Sequence, residues 1–209
     1  MSRPFGPVLR AEVAARLSRF DRVAAPEGPL ARAAVAATIV PGDDGEACFV
    51  ITRRADRPGR HSGQWALPGG RTDAGETAAE AALRELSEEV GLSVPPDSVL
   101  GLLDDYETRS GFVITPVVVW AEAAAELRPD PREVASVHRV PLASLEAEGV
   151  PRLWSIPESR RPVIGVPLAE LGTVIHAPTA AVLFQLREVA LGGRATRVSG
   201  YEQPVFAWK

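Results

Sequence analysis

Residues 70–92, GRTDAGETAAEAALRELSEEVGL, decide how this chain is read. The stretch opens on a glycine-bearing loop, 70–76, and residues 77–90 are dense in strong helix formers. Gly91 follows, where a left-handed residue commonly ends a helix. At about 100° per residue, Ala79, Ala82, Leu83, Leu86 and Val90 form an apolar stripe suited to packing on a sheet. Glu85, Glu88 and Glu89 sit at i, i+3 and i+4 and fall together on a different face, with Arg84 at its border. Each like-charged pair at such spacing costs roughly 0.2–0.5 kcal/mol even when exposed. A hard divalent cation turns that repulsion into attraction, because Mg²⁺ and Mn²⁺ prefer carboxylate oxygens. The small residues Ala78 and Ala81 on the same face leave room for it. Taken alone, an E-x-x-E-E run is more often a solvated acidic surface.

Outward from this stretch the chain alternates between strands and helices without strict order. Upstream, residues 33–40 and 48–52 read as two strands around a turn at 41–45 (PGDDG). Between them and the loop lies ITRRADRPGRHSGQWALPGG, which gathers Arg53, Arg54, Arg57, Arg60 and His61. Arginine binds phosphate bidentately, so a basic patch beside a metal site suits a polyphosphate, although a solvated arginine-rich loop reads the same way. Nearer the start, Leu9, Val13, Leu17 and Phe20 have helical spacing and predict a helix laid against the main body. Downstream, 99–103, 112–121 and 134–140 read as strands and 141–146 as a short helix. Residues 150–175 are strand-like but broken by proline, 180–191 predict an amphipathic helix, and 204–208 a last strand. The pattern predicts an α/β class with a mixed sheet between helices.

Composition narrows the class of function. A chain of 209 residues has enough length to bury a core within one domain. Its formal net charge of −4 argues against a general nucleic-acid binder. No apolar run approaches the roughly 18 residues of a membrane span. Arg3, Arg10, Glu12, Arg16 and Arg19 interrupt every early apolar stretch, so no signal-peptide core is expected. Cys48 is the single cysteine, which excludes an intrachain disulfide or a cysteine-rich zinc site. A cytoplasmic protein with a small-molecule partner, and neither nucleic acid nor membrane, is the expectation.

The 70–92 stretch also resembles, position for position, the signature box of the Nudix hydrolases: G, five residues, E, seven residues, then R-E-U-x-E-E-x-G-U, with U bulky and aliphatic. The matching residues are Gly70, Glu76, Arg84, Glu85, Leu86, Glu88, Glu89, Gly91 and Leu92. The resemblance covers about residues 33–147 and implies a Nudix-type α/β/α sandwich with the box as loop–helix–loop. It implies that Glu85, Glu88 and Glu89 hold Mg²⁺ or Mn²⁺ and promote water attack on a diphosphate, with the general base left open among them. It implies an Arg84–Glu76 pair bracing the loop, and a Gly69 carbonyl as a further ligand beside Gly70. Relatives often add an acid from outside the box, for which Glu133 is the candidate.

The upstream piece is similar in part to the coenzyme A diphosphatase branch: Thr52, Arg54, Ala55, His61, Gly63 and Pro68-Gly69-Gly70 fall at its spacing. Pro58 and Gly59 replace its Leu-Arg pair, Arg60 falls one position late, and Trp65 and Leu67 replace Val and Phe. Residues 172–186 are similar to its late strand-and-helix element. The resemblance therefore implies hydrolysis of coenzyme A or an acyl-CoA, with Arg54, Arg60, His61 and Gly70 as substrate-binding residues. Cleavage of ADP-ribose or NADH, pyrophosphohydrolysis of a nucleoside triphosphate, and nucleotide binding without cleavage are the alternatives. Trp65, Phe112, Tyr106 and Trp154 are expected in the core or at an interface more than against a base. Residues 1–32 are expected as a helical extension and 33–209 as the Nudix domain; a homodimer is common in the family.

Overall fold

The computed structural model describes residues 3–55, 63–122 and 127–208. Its centre is β1 (Ala31–Pro41), which runs parallel to β7 (Phe112–Trp120) from Ala31↔Phe112 to Ile39↔Trp120. The other edge of β1 is shared. Its end pairs antiparallel with β2 (Ala47–Arg54) at Ile39↔Phe49, and its beginning with β4 (Gly69–Arg71) at Val35↔Gly69. The sheet thus forks, and β2 leaves β1 to pair with β3 (Trp65–Ala66) and β8 (Val134–Pro141). On the far side β7 carries β5 (Val99–Leu102) and β6 (Tyr106–Glu107), both antiparallel. One parallel pair among antiparallel ones makes the sheet mixed, as expected. The strand β4 corrects one reading: Gly70 belongs not to a loop but to a ladder, which Gly69, having no Cβ, brings close against β1.

The helix of the box is α2 (Ala78–Val90). Thr77 caps it: its hydroxyl accepts the Glu80 N–H at 3.2 Å while the Glu80 carboxylate accepts the Thr77 N–H at 2.8 Å. Gly91, at φ 69°, ends it in the left-handed conformation the sequence predicts. Ala82, Leu86 and Val90 pack on Ala34, Ala36 and Val40, one face of β1. Burying Leu86 alone contributes about 2 kcal/mol. Ala37 and Ile39, the alternate residues of β1, face the opposite layer. There lie α1 (Pro7–Arg19), which buries Leu9, Val13 and Leu17, and α3 (Thr179–Gln185), so the layering is α/β/α.

Residues 150–175 resolve into a second antiparallel sheet, with β10 (Ser159–Leu168) between β9 (Arg152–Ile156) and β11 (Thr173–His176). Two expectations change. The predicted amphipathic helix 180–191 is buried nearly all round, because its polar side is taken up inside the fold, Gln185 Nε2 donating to Asp104 at 2.7 Å and Arg194 Nε to Glu188 at 2.6 Å; it passes from α3 into a π-helical stretch, Leu186–Leu191. Residues 204–208 form no strand but a 3₁₀ turn, Val205–Ala207, since Pro204 brings no N–H to a ladder. No helix among the described residues is long and apolar enough to cross a membrane.

Candidate active site

Arg84 is the hub of the box rather than its border. Its Nε and Nη2 donate to the two Glu76 oxygens at 2.9 and 3.2 Å, and Nη2 also reaches the Arg71 carbonyl at 3.0 Å. Its Nη1 donates to Glu85 at 2.9 Å and to Glu88 at 3.1 Å. Glu76 also accepts the Asp73 N–H at 2.8 Å, so one guanidinium ties the 72–77 loop, β4 and α2 together. Arg84 holds the Glu76 carboxyl below the usual carboxylate range.

The three glutamates do not share one open face as the helical wheel suggests. The Glu88 side chain is 61% exposed, Glu85 is partly buried, and Glu89 is only 4% exposed. Glu89 lies beside the apolar stripe, one turn from Glu85, and the sheet closes over it. Ala81, expected to leave room on the acidic face, is itself buried in the core. Glu89 accepts the Gly69 N–H at 3.1 Å. Burial pushes its pKa up to about 7; the Gly69 N–H and Arg54 oppose this, while Glu85 and Glu133 add to it. The Glu85 pKa is raised chiefly by burial, against the pull of Arg84, with Glu88 and Glu133 contributing repulsion.

Glu133, on the turn before β8, therefore stands in the field of the same two carboxylates, and its carbonyl accepts the Ala55 N–H at 2.9 Å. Among the described residues no three carboxylate, histidine or cysteine side chains are already drawn together around one point. The chemistry of the donors nevertheless fits Mg²⁺ or Mn²⁺: carboxylates only, mutually repelling, one of them buried deeply enough that burial outweighs the pull of the Gly69 N–H and Arg54. Gly70 completes a cradle, since a Cβ there would stand 2.2 Å from Glu85 Oε1. At Gly69 a Cβ would stand 2.3 Å from the Ala34 carbonyl oxygen.

A cavity of about 690 Å³ opens on the other side of these glycines, lined from both arms of the sheet fork. Gly69, Gly70, Arg53 and Arg54 line it, together with Trp65 and Phe112. Of the predicted substrate-binding residues, Arg54 and Gly70 line it, while Arg60 and His61 lie outside the described residues, as does Arg57. Tyr106 is in the core, its hydroxyl donating to the Tyr201 carbonyl at 3.1 Å. Trp154 stands edge-on to His176 at 5.7 Å. Sequence reasoning missed His176, Gln203 and Phe206, which line it as well. The only local signal was the stretch 172–186, from which β11 brings His176 in.

Residues 30–159 match the NUDIX domain family. An uncharacterized Nudix hydrolase, NudL, of Pectobacterium atrosepticum is 40% identical over 97 residues, 45% of this chain and 50% of that protein. The NudL of Yersinia enterocolitica, also uncharacterized, is 37% identical over 98 residues, 46% of this chain and 50% of its own. The chain thus spans about half the length of these curated relatives. Among solved structures, the Nudix hydrolase RenU of M. smegmatis aligns with a TM-score of 0.51 at 23% identity, over 80% of this chain and 89% of that one. A MutT/nudix family protein from Enterococcus faecalis aligns at 0.54 and 12% identity, over 79% and 64%. At those identities the likeness is one of fold. The domain match, covering more than half of the chain and containing the whole box, shows that the chain belongs to the Nudix family.

Proposed function

We propose that this protein hydrolyses a diphosphate linkage in a nucleotide derivative, with Mg²⁺ or Mn²⁺ held by Glu85, Glu88 and Glu89. One observation carries the reading. The partly buried Glu85 and the buried Glu89 lie directly behind Gly69 and Gly70, and those glycines line, with Arg53 and Arg54, a cavity large enough for a nucleotide. The bound cation supplies neutralisation of phosphate oxygen charge and a more acidic water.

The chain's own residues do the rest. Arg84 orients Glu85 and Glu88 and, through Glu76, fixes the loop that carries Gly70. Glu133 and the Gly69 carbonyl complete the oxygen donors, and the general base comes from the three box carboxylates. Arg54 and Gly70, with Arg60 and His61, hold the substrate's phosphates. A non-catalytic nucleotide binder has no need to crowd like charges in this way.

Within this class we favour coenzyme A or an acyl-CoA. The arginine run precedes the glycines, and the 172–186 element, similar to that branch, contributes to the lining of the same cavity. A turnover panel with Mg²⁺ and with Mn²⁺, offering coenzyme A, ADP-ribose, NADH and a nucleoside triphosphate, tests both levels. Cleavage of coenzyme A at its diphosphate is expected. Preference for another member overturns the coenzyme A reading, and cleavage of none overturns the hydrolase reading.

A further inference from the structure

Gly70 and Arg71 are neighbours in β4, so their side-chain positions lie on opposite faces of the sheet. A Cβ at Gly70 would meet Glu85, on the α2 face. Arg71 belongs to the other face. It pairs with Ala33 of β1, which pairs in turn with Ile114 of β7, and both Ala33 and Ile114 line the cavity. On this face β1 offers only the small Ala31 and Ala33 beside Phe112 and Ile114, so the long Arg71 side chain can cross the strand. Its guanidinium carbon lies over the Phe112 ring, 5.0 Å from the centre, and Phe112 itself lines the cavity.

Arg71 is exposed, and among the described residues its side chain has no hydrogen-bond or ion-pair partner; the ring is what holds it. By contrast, Arg32 of β1 donates to Asp105 at 3.3 Å, and Arg109, on the turn before β7, to Glu202 at 2.6 Å. The Arg71 main chain is fixed from behind, because its carbonyl accepts from the same Arg84 that holds Glu85 and Glu88. Attraction of a cation to an aromatic face needs no hydrogen-bond acceptor, so the Arg71 N–H donors are left for a ligand. A guanidinium in that state suits a phosphate, which it meets with two parallel donors.

We propose that Arg71 is a phosphate-binding residue of this site and that Phe112 positions it. Arg71 acts from the cavity face on the diphosphate that the box carboxylates reach from behind Gly70. Phe112 is then a platform for a guanidinium, not a stacking surface for a nucleobase. The inference rests on the reading that the cavity takes a nucleoside diphosphate group.

The α,β-methylene analogue of ADP, which cannot be cleaved between its phosphates, is the probe. Quenching of tryptophan fluorescence at a fixed Mg²⁺ concentration gives Kd, since Trp65 lines the cavity. Arg71→Ala removes an exposed side chain and keeps the carbonyl that Arg84 needs, so Tm should be unchanged. Its Kd is expected to rise about tenfold, and Arg71→Lys, which keeps the charge without the fork, to recover part of the loss. Phe112→Leu should raise Kd about threefold in the wild-type background and not at all beside Arg71→Ala. An unchanged Kd in Arg71→Ala overturns the contact, and an equal Phe112→Leu loss in both backgrounds overturns the positioning role. Turnover of the substrate panel separates the two readings. The expected Kd pattern without cleavage of any member leaves the subsite standing while the hydrolase reading falls. Intact cleavage with an unchanged Kd in Arg71→Ala removes the subsite alone, and a wild type that does not bind the analogue overturns both the subsite and the cavity reading beneath it.

Discussion

Adding one methyl group at Gly70 tests whether Glu85 works from the place where the fold holds it. A Cβ at this position would stand 2.2 Å from Glu85 Oε1 and 2.6 Å from its carboxyl carbon. The carboxylate must retreat by roughly 1 Å to reach ordinary contact, and a misplacement of about 1 Å at a reacting centre costs on the order of 10²-fold in rate. The retreat also breaks the 2.9 Å bond from Arg84. What moves is the end of a side chain, so Gly70→Ala should lose only about 1 kcal/mol of stability, roughly 3 °C in Tm for a chain of this size. Gly69→Ala is the control. Its Cβ would meet the Ala34 carbonyl oxygen at 2.3 Å and the Val35 Cα at 2.7 Å, main-chain atoms of β1 that cannot step aside. That variant should lose about 3 kcal/mol or more, with a Tm drop of roughly 10 °C. Thermal melting and turnover of the best panel substrate at saturating Mg²⁺ read both effects. Gly70→Ala with kcat within about threefold of wild type would refute the placement of Glu85 in the reaction.

Three further outcomes follow from other contacts. Arg84→Ala should reduce kcat about tenfold and Tm by roughly 2–4 °C, because a partly exposed hub joining three carboxylates and the Arg71 carbonyl contributes about 1 kcal/mol; unchanged kcat and Tm would show that the clasp has no working role. Glu202→Gln should destabilise the protein by about 1–2 kcal/mol at pH 7, a figure discounted because Arg109 is half exposed. Arg109 and the other donors hold the Glu202 pKa down to about 2 from an ordinary 4.5, so this stability is present above pH 4.5 and disappears as pH falls through 2. Melting curves should therefore converge in acid, and a gap as wide at pH 2 as at pH 7 would contradict the ion pair. Arg54→Ala should raise KM for coenzyme A about tenfold and erase its preference over the 3′-dephospho form, since a bidentate phosphate contact contributes roughly 1.5–3 kcal/mol; equal kcat/KM for the two forms in the wild type would remove that contact.

The parts of this molecule legible in its sequence are those governed by local rules. Gly91 stops α2 because an L-residue resists a φ of 69° there, and the turn at 41–45 joins β1 to β2 within the hairpin expected. The α/β/α layering follows from β1, buried on both faces from Ala36 to Val40, and from the apolar stripe of α2. What stayed hidden depends on distant chain. Spacing places Glu89 with Glu85 and Glu88, and only the sheet above it decides that it is buried. Arg84 sits at the border of the acidic face on a wheel, whereas a long flexible side chain reaches four acceptors in three dimensions. The helix that begins with α3 looks amphipathic until Asp104 and Arg194 take up its polar side, and nothing near the box announces that residues 203–207 return to wall the cavity.

The central claim is that the box carboxylates act through a divalent cation, and hydrolysis measured across a Mg²⁺ and Mn²⁺ titration tests it most directly. The titration starts from exhaustively chelated protein and compares wild type with Glu88→Gln and Glu89→Gln, each of which keeps volume and removes charge. The account predicts no turnover without the cation, recovery on its return, and a loss of about two orders of magnitude or more in at least one variant, because charge stabilisation at a metal is a large part of such catalysis. Hydrolysis that survives chelation, or both variants at wild-type rate, would contradict it.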